Sequence, residues 1–146
     1  MLEALQFIAV LSCSIFAGAA IYINVAEHPA RMDCDTKTAV TVWAPSYKRA
    51  FVMQASLAIV GFISGIAVWL LGGGIMWLLA ATFIGAVIPF TFIVIMPTNQ
   101  KILAPERDLN STETRELLVK WGNLHAVRSI LSFIALLIYL ALLFKA

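Results

Sequence analysis

Charged residues are scarce in this 146-residue chain, and that scarcity argues against a soluble fold. Only 12% of the residues are Asp, Glu, Lys or Arg, whereas 62% are hydrophobic. A soluble domain is about a quarter charged and about half apolar. We therefore predict an integral membrane protein that lies in the lipid bilayer as one compact domain, with no separate soluble module.

Positive charge and cysteine are also limited. The formal net charge is +2 and the basic residues form no polybasic run, so the sequence gives no sign of nucleic-acid binding. The two cysteines, Cys13 and Cys34, fall in a predicted helix and in the connection that follows it, where they are poorly placed to pair. We expect neither a disulfide nor a metal site from them.

Four apolar segments are each close to the ~20 residues that cross a bilayer as a helix. They cover residues 2–24, 51–71, 75–96 and 117–144. Three consecutive glycines at 72–74 predict a tight turn between the middle two segments, which places the long connections 27–48 and 98–120 at one end. The predicted fold is all-α: a four-helix antiparallel transmembrane bundle with a polar loop, residues 27–48, folded over that end.

Orientation follows from the distribution of Lys and Arg. The long connections and their edges carry nearly all of these residues, whereas the opposite side has only Lys145 and the N-terminal amine. We predict that the long loops are cytoplasmic and that both termini lie on the other side. The acidic start, with Glu3 where a signal peptide would be basic, favours a retained first helix.

Several local patterns predict helix ends and packing. Asn110 followed by Glu113 fits an N-cap for the fourth helix. Pro89 predicts a distortion of the third helix, which either serves packing or opens space for a ligand. Gly61 and Gly65 form a small-residue face that favours close packing inside the bundle over a dimer seam, and a homo-oligomer is left open.

A polar stripe begins the last apolar run. Trp121, His125 and Arg128 share one helical face, at positions i, i+4 and i+7. A charged side chain at the centre of a membrane helix costs on the order of 3 kcal/mol, so such residues usually face a bundle interior. A second polar group, at the end of the first apolar run, consists of Asn24, Glu27, His28 and Arg31. Together the two polar groups predict a pocket with an apolar floor and a polar rim.

Five short motifs follow one another along nearly the whole chain: AIYINVAEHPAR at 20–31, WAPSYKR at 43–49, IPFT at 88–91, MPTN at 96–99 and WGNLHAVR at 121–128. In this order they resemble the anthrone oxygenase-like membrane family, also described as domain of unknown function 1772. The resemblance implies a four-helix membrane oxygenase. Fungal members of the family oxidise anthrones to anthraquinones, whereas many bacterial members have no assigned substrate.

The implied reaction is a monooxygenation of a hydrophobic aromatic or phenolic small molecule with O₂. An anthrone has an acidic C–H, and its anion is electron-rich enough to reduce O₂ directly, so no cofactor is strictly required. The protein must supply a base, a positively charged group for the oxyanion and an aromatic slot. Desolvation and a neighbouring cation favour the neutral form of His125, which is the form that can accept a proton.

The predicted site residues fall into two groups. The catalytic candidates are His125 as general base, His28 as the runner-up base, Arg128 as the oxyanion-binding cation, and Glu27. The substrate-binding candidates, which supply cations, aromatic rings and hydrogen-bonding groups, are Asn24, Arg31, Trp43, Tyr47, Arg49, Thr91, Asn99 and Trp121. We further expect Glu27, Arg31 and Arg128 to lie within ion-pair reach of one another or of a shared ligand.

Other interpretations remain open from the sequence. No metal is expected at the site, but His28, His125 and Glu27 together would suit a two-histidine, one-carboxylate iron site, and one histidine could instead ligate haem. A non-enzymatic binding, transport or assembly subunit is a third hypothesis. Purely structural roles are also open. Arg128 could pair with Glu27 and hold two helices together, and Trp43, Tyr47 and Trp121 could anchor the protein at the membrane interface.

Overall fold

A computed structural model describes residues 1–144, and its architecture is four long helices. They are α1 (Leu2–Met32), α2 (Thr36–Gly73), α3 (Ile75–Ile102) and α4 (Thr112–Leu143), each long and apolar enough to cross a bilayer. Each helix packs against the next, and α4 closes back on α1. The predicted all-α four-helix bundle is confirmed. Lys145, on which the orientation prediction draws, lies outside the described residues.

The loop predicted over residues 27–48 is wrong, because only residues 33–35 separate α1 from α2. Asp35 is the N-cap of α2, and its carboxylate accepts hydrogen bonds from Thr38 Oγ1 at 2.6 Å and Thr38 N at 2.9 Å. These bonds lower the pKa of Asp35. Charges such as Lys37 and Lys48 indicated a loop, but they occupy the exposed side of a helix. The polar loop at this end of the bundle is instead residues 103–111.

The start of α4 also differs from the prediction by one residue. Ser111, not Asn110, is the N-cap, and its hydroxyl accepts a hydrogen bond from the Thr114 backbone N–H at 3.1 Å. The Asn110 backbone N–H instead donates to the Asp108 carboxylate within the loop. A serine oxygen satisfies an otherwise unpaired N–H of the first turn equally well, so both residues carried the same signal.

Glycines set the turn and the closest helix contacts. Gly72 and Gly74 have φ of 89° and 93°, values that favour glycine, and they form the predicted tight turn. A Cβ on Gly65 would collide with the Tyr139 hydroxyl and lie 2.9 Å from Ala81 Cβ. Gly61 offers its carbonyl to the Tyr139 hydroxyl at 3.1 Å. The small-residue face therefore packs within the bundle, as predicted.

Two widened, π-helical turns interrupt the helices at the end that holds the polar motifs. One covers Ile23–Glu27 in α1, just before Pro29, and the other covers Thr91–Ile95 in α3, between Pro89 and Pro97. A proline ring crowds the carbonyl four residues earlier and lacks an N–H, so a wider turn relieves the conflict. Such turns are frequent at functional sites, and these two carry Asn24, Glu27 and Thr91.

Apolar packing forms two layers along the bundle. The layer near the glycine turn is built around residues such as Phe16, Trp77 and Tyr139. The layer near the other end is built around Trp43, Trp121 and Ile95. On α4, His125 and Arg128 fall between Trp121 of the second layer and Tyr139 of the first. Within the predicted polar stripe, Trp121 thus belongs to an apolar layer, and His125 and Arg128 lie between the two layers.

Candidate active site

The polar stripe of α4 faces the interior of the bundle, as the spacing predicts. Trp121, His125 and Arg128 are 5%, 1% and 7% exposed. A helical face with this composition would be unfavourable against lipid, because the guanidinium and the imidazole would lose all hydration there. Inside the bundle, both side chains meet polar groups from α1 and α2.

His125 is oriented by Asn24 of the widened turn in α1. The Asn24 amide N–H donates to the Gly122 carbonyl at 3.0 Å, so the other amide atom must be the oxygen. That oxygen accepts from the Ser129 hydroxyl at 2.7 Å and lies 2.8 Å from His125 Nδ1. Because a carbonyl oxygen only accepts, Nδ1 carries the proton in this arrangement. The lone pair of a neutral His125 is then on Nε2, which leaves that nitrogen able to accept a proton.

Arg128 carries its charge without a carboxylate partner among residues 1–144. One terminal NH₂ donates to the Gln54 side-chain oxygen at 2.7 Å, and the guanidinium carbon lies 5.4 Å from the centre of the Phe16 ring. Arg128 Nε is buried and has no hydrogen-bond partner within the described chain. The reading in which Arg128 pairs with Glu27 is therefore wrong.

Glu27 pairs with Arg31 instead. The Arg31 guanidinium donates to the Glu27 carboxylate, which also accepts from the Ser46 hydroxyl at 2.6 Å. Arg31 Nε and its other terminal nitrogen are buried without partners among residues 1–144. The expected contact of Glu27 with Arg31 is confirmed. The expectation that Arg128 contacts Glu27 or Arg31 directly is wrong, because Arg128 contacts Gln54 instead. A ligand shared by Arg31 and Arg128 stays a prediction.

Aromatic rings stack beside the polar groups. Trp43 and Tyr47 are parallel, with ring centres 5.0 Å apart, and Trp121 meets Trp43 edge-on at 5.6 Å. His125 lies on one side of Trp121 at 4.9 Å between ring centres, and His28 lies at 5.1 Å from the same ring. Trp43 is fully buried. It is thus part of the interior, and the reading of Trp43 as an interfacial anchor is wrong.

A cleft with two adjoining lobes lies between the helices, and Arg128, Gln54 and Phe51 belong to both lobes. Both lobes are narrow: the open core that admits a water-sized sphere is about 20 Å³ in the apolar lobe and about 10 Å³ in the polar lobe, which is room for about one water molecule in each. The polar lobe is further lined by Ile23, Arg31, Trp43, Ser46, Tyr47, Ala50, Trp121 and His125. The apolar lobe is further lined by Phe16, Ala55, Ala58, Val87, Ile88, Thr91 and Phe92.

Some predicted site residues lie outside this cleft. Arg49 is exposed, because α2 already begins at Thr36 and Arg49 falls off the face that carries Trp43 and Tyr47. Asn99 is buried, but it lines neither lobe and its side-chain atoms have no partners in the described residues. His28 lies against Gly122, where an added Cβ would be 2.6 Å from the imidazole.

The sequence leaves open an iron site formed by His28, His125 and Glu27. Within residues 1–144, no three side chains of His, Cys, Asp or Glu are grouped closely enough to hold a metal ion. His28 and His125 lie near the same indole ring, and Glu27 is engaged by Arg31 and Ser46.

Two polar residues that contact the candidate site are not among the predicted site residues. Gln54, 1% exposed, contacts Arg128, and Ser129 contacts Asn24. Gln54 interrupts an apolar span, and this was a visible signal of an inward-facing side chain. Ser129 directly follows Arg128, and a serine in a membrane helix carries little information by itself.

Four bilayer-length helices around a buried, cation-bearing cleft define a membrane protein suited to a small, largely apolar molecule. The family model described as Anthrone oxygenase matches residues 43–138. Anthrone oxygenase tpcL of Aspergillus fumigatus is 30% identical over 135 residues, which cover 86% of this chain and 84% of that protein. The chain belongs to the anthrone oxygenase family, as the resemblance predicted, and is an enzyme of oxygenase type.

A second relative matches a shorter stretch. Anthrone oxygenase nsrD of Aspergillus novofumigatus is 42% identical over 57 residues, which cover 37% of this chain and 35% of that protein. No solved structure matches the chain significantly.

The hydrogen bonds of Asn24 predict the tautomer of His125. In the wild-type protein, ¹⁵N NMR should show a protonated Nδ1 and an unprotonated Nε2 for this residue. In Asn24→Leu, Nδ1 loses its acceptor, so both ring nitrogens should shift toward the values of a tautomer mixture. The chain has two histidines, so His28→Gln assigns the spectrum.

Asn123→Leu is the matched control, since Asn123 is exposed on α4 and its removal should leave the His125 signals unchanged. An unprotonated Nδ1 in the wild-type protein would contradict this assignment.

Proposed function

We propose that the protein oxidises an anthrone-type or related phenolic aromatic molecule with O₂, using His125 as general base and Arg128 as the oxyanion-binding cation. The observation that carries the proposal is that two complementary groups line the same lobe. The His125 imidazole is held through Nδ1, and the buried Arg128 guanidinium has no carboxylate partner among residues 1–144. Family membership supports the reaction type.

The substrate ring would bind in the polar lobe, between the aromatic side chains and His125. Trp43, Tyr47 and Trp121 offer faces and edges to a planar ring. A tricyclic molecule is much larger than the open core of this lobe, so binding requires lining side chains such as Tyr47 and Phe51 to move outward. Both side chains are only partly buried, so they can move outward with less loss of packing than the fully buried side chains of the lobe.

The spacing of His125 and Arg128 along their helix suits the two reacting positions of an anthrone ring. His125 and Arg128 are three residues apart on one face, so their Cβ atoms are about 5–6 Å apart. In an anthrone, the acidic CH₂ and the carbonyl lie on opposite sides of the central ring. The acidic carbon would face His125 Nε2 while the carbonyl oxygen faces Arg128, and Arg31, held by Glu27, adds positive charge to the same lobe.

The first step is proton abstraction. His125 Nε2 takes a proton from the CH₂, the C–H electron pair delocalises into the ring system, and the carbonyl oxygen becomes an oxyanion beside Arg128. Donors placed at such an oxygen typically contribute about 10²–10³ in rate. Asn24 maintains the orientation of the base through Nδ1.

The oxidation uses the electrons of this anion. One electron passes to O₂, and the resulting superoxide joins the ring radical to form a new C–O bond. The peroxide anion takes the proton back from His125. His125 then removes the second proton from the same carbon, the C=O forms as the O–O bond breaks, and the departing hydroxide becomes water. The sum is anthrone plus O₂ giving anthraquinone plus water, with no external reductant.

We also propose the orientation of the protein. The 33–35 turn and the 103–111 loop lie at the end that carries exposed basic residues, and this distribution supports a cytoplasmic location. The 72–74 turn and the N-terminus then lie on the other side. In this orientation the polar lobe is closer to the cytoplasmic surface.

Cys34 provides a native probe of this orientation. It is exposed within the 33–35 turn, whereas Cys13 is buried. A membrane-impermeant maleimide should label Cys34 in inverted membrane vesicles and leave it unlabelled in intact cells. Cys34→Ser is the control for background labelling. Labelling in intact cells and protection in inverted vesicles would contradict the orientation.

Removing the base should abolish most of the activity. His125→Gln keeps a polar side chain but cannot accept the proton, so the rate of anthrone-dependent O₂ uptake by purified protein should fall about 10²–10⁴-fold. His28→Gln, on the only other histidine of the chain, is the matched variant and should lose much less activity. The opposite order of losses would assign the base to His28.

Metal analysis and an optical spectrum of the same wild-type sample separate this proposal from the redox-cofactor alternative. The proposal expects activity that does not follow metal or haem content. Activity that rises and falls with bound iron or haem would instead favour a redox cofactor.

A further inference from the structure

Gln54 is a buried amide at the junction of the two lobes. Its side-chain oxygen accepts from the Arg128 guanidinium at 2.7 Å. Because a guanidinium only donates, this contact fixes the amide orientation and directs the NH₂ group of Gln54 elsewhere. That NH₂ group is buried, and it has no acceptor among the described residues.

Two unused donors thus belong to one contact pair, Gln54 Nε2 and Arg128 Nε. Unsatisfied buried donors are costly and rare in folded proteins. If Gln54 served only to stabilise the charge of Arg128, its side-chain oxygen would be sufficient and its NH₂ group would have no function. A glutamate at position 54 would stabilise that charge more strongly, because it would neutralise it. The chain instead keeps the cation un-neutralised and adds a neutral donor beside it.

The position of this pair in the cleft restricts the ligand. Gln54 and Arg128 line both lobes, with His125 and Trp43 on the polar side and Ala55, Ala58 and Val87 on the apolar side. A molecule that contacts the pair with an oxygen atom has its reacting carbon in the polar lobe. Any group beyond the junction meets only apolar side chains and the Thr91 hydroxyl, which already donates to the Val87 carbonyl.

We propose that Gln54 is a specificity-determining residue that, with Arg128, donates hydrogen bonds to one carbonyl or phenolate oxygen of the substrate. The preferred substrate is then a planar aromatic molecule with this oxygen at the junction and an apolar edge in the apolar lobe. This inference rests on the proposed function for its substrate class, and it goes beyond it by assigning a second donor and the orientation of the molecule.

The test compares two ligands of similar shape in Gln54→Met. Methionine has a similar length and no amide. A hydroxyanthraquinone, whose visible absorption changes when its phenol ionises, carries the oxygen, whereas anthracene is a similar ring system without oxygen. Loss of a hydrogen bond to a charged oxygen should weaken hydroxyanthraquinone binding about 10- to 100-fold, with little change for anthracene. The bound phenol should also ionise at higher pH than in the wild-type protein.

Two further variants make the result decisive. Gln54→Glu keeps the acceptor for Arg128 but adds a negative charge, so it should lose affinity for the ionised dye selectively. Gln100→Met makes the same change at an exposed glutamine of α3 and should leave both ligands unaffected. Equal loss of both ligands in Gln54→Met and Gln54→Glu, or no loss of either ligand, would overturn the role of Gln54.

The outcomes also separate this inference from the proposed function. Wild-type oxidation of an anthrone, with dye binding that is insensitive to Gln54, would leave the oxygenase proposal standing and refute the inference. Dye binding that depends on Gln54 in a protein that does not oxidise anthrones would support the oxygen-binding pair and refute the oxygenase proposal.

Discussion

Arg128 carries its charge into the apolar interior of the bundle, where the described residues offer it one amide oxygen and an aromatic ring. A buried cation that has no counter-ion is destabilising, and charged side chains inside membrane bundles commonly mark substrate or ion pathways. The neighbouring groups fit such a partner. Arg31 is held toward the same cleft by Glu27, and the donors left unused by Arg31, Gln54 and Arg128 belong to side chains that line the polar lobe.

The shape of the bundle follows from the need to bring these groups together. The widened turn at Ile23–Glu27 places Asn24 against His125 and also carries Glu27, the partner of Arg31. Gly65 packs closely on Tyr139 and Ala81 within the apolar layer near the glycine turn. At the other end, the π-helical turns Ile23–Glu27 and Thr91–Ile95 carry Asn24, Glu27 and Thr91 beside the cleft and its charged groups.

Local regularity explains what the sequence predicts well. The spacing of Trp121, His125 and Arg128 defines one helical face without any knowledge of the partners, and the structure buries all three. The three glycines define their turn in the same way. The extent of α2 was harder to predict, because its first four turns carry exposed charges and a proline, which resemble a loop in composition. Arg49, predicted at the edge of that loop, lies within the helix and is exposed.

Long-range packing explains what the sequence does not reveal. Gln54 and Arg128 are 74 residues apart, and only the packing of α2 against α4 shows that they meet. Glu27 had two arginines within plausible reach, and helical spacing favours Arg31, four residues away. The choice between His28 and His125 likewise depends on packing, because His125 lines the polar lobe and His28 does not.

The most direct test of the account is an experimental structure of the protein with a hydroxyanthraquinone bound, in which the distance from the ligand oxygen to the Arg128 guanidinium is measured. The account predicts a hydrogen-bond distance from that oxygen to Arg128, with the ring beside Trp43 and Trp121 and His125 Nε2 facing the opposite carbon. A ligand bound outside the cleft, or an Arg128 that pairs with a carboxylate of the chain, would contradict it.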